Sequence, residues 1–141
     1  MTVSKTLKEI DYDLPNGFHD AILETLTLNY AANSADLDLN LWVGDMSAPP
    51  GEEREARKRA RLHLTDLVYF VIDPPYPDPE YGYGPYDGLW IDAGDAGEVS
   101  DREELKPKAD LPPDAFAYWF FIDDWNSFMH VAAKGASLEW L

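Results

Sequence analysis

The chain has 141 residues, 45% of them hydrophobic and 13% aromatic, enough for one domain with a proper core. It has no cysteine, which excludes disulfides, thiolate metal sites and cysteine nucleophiles, and fits a reducing, cytoplasmic setting. Eleven Lys and Arg stand against 27 Asp and Glu, a net charge of −16 that disfavours nucleic acid and anionic membranes and favours basic partners.

Residues 1–17 read as an irregular lead-in without the apolar run of a signal peptide, and 6–11 suit one helical turn that Asp13, Pro15, Asn16 and Gly17 stop. Phe18-His19-Asp20-Ala21 precedes a first strand, in which Ile22, Leu26, Leu28 and Tyr30 share a face and Glu24 is the exception. In the next run Leu37, Leu39, Leu41 and Val43 share one face, opposite Asp36, Asp38, Asn40 and Trp42. Both have the two-residue period of half-buried strands. A turn centred on Asn33-Ser34 sets Leu26 against Leu41, Leu28 against Leu39 and Tyr30 against Leu37.

After a loop at 44–53, residues 57–64 alternate Arg57, Arg59, Arg61 and His63 with Lys58, Ala60, Leu62 and Leu64. Helix over 52–61 is the competing expectation, since most residues there favour it. The alternation runs on into Leu62 and Leu64 and favours strand, with Arg61 and Arg59 lying near Asp38 and Asp36 across the pair. Thr65-Asp66 is expected to form a bulge, after which Val68, Phe70 and Ile72 continue the face.

Residues 74–88 hold five Pro, four Tyr, three Gly and three acids, a composition that excludes helix and central strand and predicts a long surface loop. A short strand at 89–91 follows. An acidic stretch, 92–108, then carries one helical turn at 100–106, with Ser100 as cap and Glu103 at the capping-box position.

Residues 115–122 are apolar on both faces, with Phe116, Tyr118, Phe120 and Ile122 on one and Ala117, Trp119 and Phe121 on the other. They predict an internal strand with Phe116, Phe120 and Phe121 buried, paired through a turn at 123–126 with a second arm at 128–133. Lys134-Gly135 is expected to turn the chain into a last short strand at 138–141. The fold class is mainly β: about seven mostly antiparallel strands in a bent sheet, sandwich or partly open barrel with little helix. An α+β arrangement with one helix on the sheet is the alternative.

No sequence motif specifies a reaction. His19, His63 and His130 have no short-range histidine partner, so no metal site and no cofactor are expected. Asp123-Asp124 and Asp92/Asp95 are paired carboxylates in turn-forming surroundings. The partner-binding candidates are Tyr76, Tyr81, Tyr83, Tyr86, Asp87, Asp92 and Asp95, because tyrosines give contact area at little entropy cost and 73–104 holds ten acids and one base.

GFHDA at 17–21, RLHLTDLVYF at 61–70 and DWNSF at 124–128 resemble small acidic bacterial proteins of unknown function, some similar to immunity proteins of polymorphic toxin systems. The resemblance implies a protein that binds and neutralises a toxin, and it assigns no site. The expected function is thus an acidic protein-binding module masking a basic partner. The alternative is a small ligand-binding or enzymatic barrel with His19, Asp20 or His130 in a pocket. A homo-oligomer that covers the doubly apolar hairpin is a third reading.

Overall fold

The structure, a computed structural model, describes residues 4–84, 86–93, 97, 99 and 101–141. Among these, six strands pair antiparallel and close into a barrel: β1 (Ala21–Asn29), β2 (Ser34–Trp42), β3 (Arg57–Ile72), β4 (Leu89–Asp92), β5 (Phe116–Ile122) and β6 (Ser127–Trp140). Their order around the wall is β1-β2-β3-β6-β5-β4, with β4 returning to β1. The mainly β, antiparallel, helix-poor expectation holds.

The expected last strand at 138–141 is not a separate strand but the end of β6, because Lys134-Gly135 is not a turn. Gly135 lies inside β6, opposite Thr65 of β3. A Cβ there would sit 2.0 Å from Ser4 Oγ, where the N-terminal segment crosses the strand and Lys5 pairs with Ala136. The glycine serves close approach of a second backbone.

The β1–β2 register differs from the expected one by four residues: Leu26 faces Leu37, and Leu28 faces Ala35. The turn occupies 30–33. Asn29 Oδ1 accepts the Ala32 N–H at 3.0 Å, and Asn33 takes a left-handed φ of 52° while its Nδ2 donates to Leu67 C=O at 3.1 Å. Asn tolerates that conformation. A bulge at Glu24 then changes which residues face inward, from Ala21 and Leu23 before it to Leu26 after it. Tyr30, expected on the buried face, is 89% exposed.

β3 is a strand from Arg57 onward, and the helix shrinks to one turn, α2 (Glu52–Glu55). Arg61 Nε donates to Asp38 Oδ1 at 2.7 Å, as the alternation predicts. Arg59 instead reaches Glu24 at 2.8 Å, and Asp36 meets His63 at 2.5 Å. Asp66 has a φ of 51°, but the register shift falls between Leu67 and Tyr69. It turns Leu67 and Phe70 toward the interior and leaves Ile72 46% exposed.

The interior is filled by Leu37, Leu39, Leu62, Leu64, Phe120 and Val131, all 0% exposed. Helix α1 (Leu7–Asp13) packs against β5 and β6. Thr6 and Glu9 form its capping box, and Leu7 and Ile10 are its buried face. β5 pairs along its length with β6 and, at Phe121 and Ile122, with β4. Of its three phenylalanines only Phe120 is fully buried. Phe116 is half-buried, and half-buried Phe121 points outward with Phe128, ring centroids 5.3 Å apart. The helical turn expected at 100–106 is a 3-10 turn, Glu103–Leu105, and its proposed cap, Ser100, lies outside the described residues.

Candidate functional site

The Pro-rich loop at 74–88 is pinned to the β5–β6 turn. Pro residues keep its backbone from entering the sheet, and the N–H groups of Tyr76, Glu80, Tyr81 and Gly82 have fixed acceptors. Tyr76 N–H donates to Trp125 C=O at 2.7 Å, and Asp73 N–H donates to Phe128 C=O at 3.0 Å. Asp78 organises the next turn: its Oδ1 accepts Glu80 N–H at 2.7 Å and its C=O accepts Tyr81 N–H at 3.1 Å and Gly82 N–H at 2.9 Å. Gly82 has a φ of 66°, which glycine adopts without strain, and the Tyr86 hydroxyl donates back to its C=O.

These contacts build an open cleft of about 700 Å³ between the loop and the β5–β6 turn. Tyr76, Tyr81, Tyr86, Asp78, Asp123 and Asp124 line it, with Pro77, Pro79 and Asn126. Asp124 is held in place because its Oδ2 accepts the Trp90 N–H at 2.7 Å. Asn126, at a φ of 46°, caps the 3-10 turn Asp123–Trp125 just before β6 begins at Ser127.

Next to the cleft is a second polar group. His19 Nδ1 lies 3.0 Å from Asp92 Oδ2, and its Nε2 lies 3.6 Å from Asp20 Oδ2. The β1–β4 register brings them together, since Ala21 pairs with Ile91, and the β4–β5 register sets Asp92 against Phe121, near Asp123. The Asp92 hydrogen bond, then the charges of Asp92, Asp20 and Asp123, hold the His19 imidazole above its ordinary range against the opposing effect of burial. Burial first, then the charges of Asp92, Asp20 and Asp124, push the Asp123 carboxyl up. Ligand-type atoms of His19, Asp20 and Asp92 lie within 4.8 Å of one another. Nδ1 is within hydrogen-bond distance of Asp92, while Nε2 faces Asp20 at ion-pair distance, an arrangement that suits an imidazolium.

Of the sequence candidates, Tyr76, Tyr81 and Tyr86 meet in the cleft. Tyr83 is 68% exposed outside its walls, and Asp87 is exposed. Asp92 belongs to the His19 group, and Asp95 lies outside the described residues. Asp123 and Asp124 read in sequence as turn formers. Their place in the site depends on where the loop docks, which no local pattern encodes.

The three histidines each have their own aspartate: His19 with Asp92, His63 with Asp36, and His130 with Asp73 at 2.8 Å. His130 is 2% exposed beside Phe128. Among the described residues no helix is long and apolar enough to cross a membrane. In comparisons with protein-family models, curated proteins and solved structures, nothing matches this chain.

Proposed function

We propose that this protein binds a basic protein partner through the acidic, tyrosine-walled cleft, and that it masks a cationic surface such as that of a nuclease toxin. One observation carries the reading: three tyrosines and three aspartates share one open cleft. A lysine or arginine side chain there gains aromatic faces, at roughly 0.5–2 kcal/mol per cation–π contact, together with charge-assisted hydrogen bonds. The raised Asp123 carboxyl adds to it: burial first, then the charges of Asp92, Asp20 and Asp124, disfavour its ionised form, and an incoming positive charge relieves the part due to those charges. The ligand-binding or enzymatic alternative has less support, since neither the cleft nor the apolar cavity at 23–26 has His19, Asp20 or His130 in its walls.

The test is fluorescence anisotropy with a labelled arginine- and lysine-rich peptide. Asp78→Asn combined with Asp123→Asn is expected to weaken binding about tenfold and flatten its salt dependence. Tyr81→Ala is expected to weaken it with the salt dependence kept. Binding that is indifferent to both variants would refute the cleft.

A further inference from the structure

The longest run in this chain without Asp, Glu, Lys or Arg is 25–35, eleven residues. In a chain of net charge −16 such a run belongs in the interior, as the apolar run of β5 does. Instead Thr25, Thr27 and every residue of 28–33 are exposed, Leu28 at 38% and Tyr30 at 89%.

The same stretch has a free backbone edge. β1 pairs with β4 only from Ala21 to Leu23; beyond the Glu24 bulge, among the described residues, β2 is its one neighbour. Every second residue from Thr25 to Asn29 therefore turns its N–H and C=O away from β2, toward no strand. Proteins guard such edges with lysine, proline or charge, and this one has none of them. Beside the edge opens an apolar cavity of about 290 Å³, lined by Leu23, Leu26, Ile72, Leu89, Ile122 and Met129 among others, with Glu24 at its wall.

We infer that this edge is a homodimer interface, in which β1 of a second copy adds antiparallel across a two-fold axis at Thr27. Charge selects this occupant. Two chains of −16 can meet closely only where no carboxylates confront each other, and the edge carries none. It offers a cationic partner no field. The next strand is locally compensated, with Asp38 on Arg61 and Asp36 on His63. The sequence is also self-complementary about Thr27: Leu26 faces Leu28 of the second copy, and Thr25 faces its Asn29. Tyr30 of each copy then falls beside Glu24 of the other, at that copy's cavity. The two β1-β2-β3 sheets become continuous, and the acidic cleft stays open for its own partner.

The test is sedimentation velocity on the full chain, from micromolar to about millimolar concentration, at roughly 0.5 M salt to screen the net charge. A concentration-dependent species of twice the 16.0 kDa chain mass is expected. Thr27→Lys sets two ammonium groups opposite each other and is expected to raise the dimer dissociation constant at least tenfold, with an unchanged circular dichroism spectrum. Each lysine lowers the net negative charge, so general repulsion cannot explain that loss. Thr27→Val keeps the dimer. A monomer at every concentration, or a dimer indifferent to Thr27→Lys, would overturn the inference. So would a monomer whose 25–29 amides gain hydrogen-exchange protection only when a cationic peptide is added.

Discussion

His19 and Asp123 are two ends of one electrostatic arrangement, and they respond to pH in opposite senses. His19 has a raised value in the folded state, so its interaction with Asp92 and Asp20 is fully present below the ordinary value of 6.5 and is lost as pH rises through the folded value. An NMR titration of its ring protons is expected to give a midpoint above 6.5, and Asp92→Asn should bring it back toward that value. An unchanged midpoint in that variant would remove Asp92 as the cause. Asp123 is also raised, but for a carboxylate this means that the charged form is disfavoured in the fold. Asp123→Asn is therefore expected to raise the melting temperature at neutral pH while weakening cation binding. Higher stability together with weaker cation binding is the outcome that the proposed binding role of the cleft predicts. A variant that melts lower would show that Asp123 is structural instead.

Phe120 and Gly135 carry the predictions for the strands. Phe120 is 0% exposed and meets Phe18 and Tyr118 edge-on, with both centroid distances at 5.2 Å. Phe120→Ala should cost about 3–5 kcal/mol in denaturant unfolding, with an unchanged m-value. Gly135→Ala should cost about 1–3 kcal/mol, because its new methyl meets Ser4 and Thr65. If it costs nothing, the N-terminal crossing does not constrain β6. Most strands were legible because alternation marks a half-buried wall, as in β2 and the first half of β3. What pattern could not reveal was register and continuity. Asn29 and Asn33 moved the β1–β2 turn, the Glu24 bulge moved its inward face, and a glycine that looked like a turn proved to be a contact. Two of these involve residues far along the chain: Leu67 for Asn33, and Ser4 for Gly135. The site divides the same way. Its tyrosines stood out by composition, whereas Asp123 and Asp124 joined them through docking of a loop that a Pro-rich sequence leaves free to lie anywhere on the surface.

At the scale of the molecule, Asp78, Asp123 and Asp124 line the cleft and Asp92 and Asp20 lie beside it, while 25–29 of the β1 edge carry no charge. From 73 to 104 the chain has ten acids and one base. A field of this kind speeds encounter with a cationic partner and weakens as salt shortens the screening length from ~30 Å at 0.01 M to ~8 Å at 0.15 M. In the proposed function the cleft would add specificity at short range, through tyrosine faces that salt does not screen. The most direct measurement of this division is a two-dimensional NMR titration of the protein with an arginine- and lysine-rich peptide at both ionic strengths. Shifts that concentrate on Tyr76, Tyr81, Tyr86, Asp78, Asp123 and Asp124 at both salts, with affinity falling as salt rises, are the predicted result. Shifts spread evenly over the acidic surface and abolished at the higher salt would contradict the cleft as a binding site.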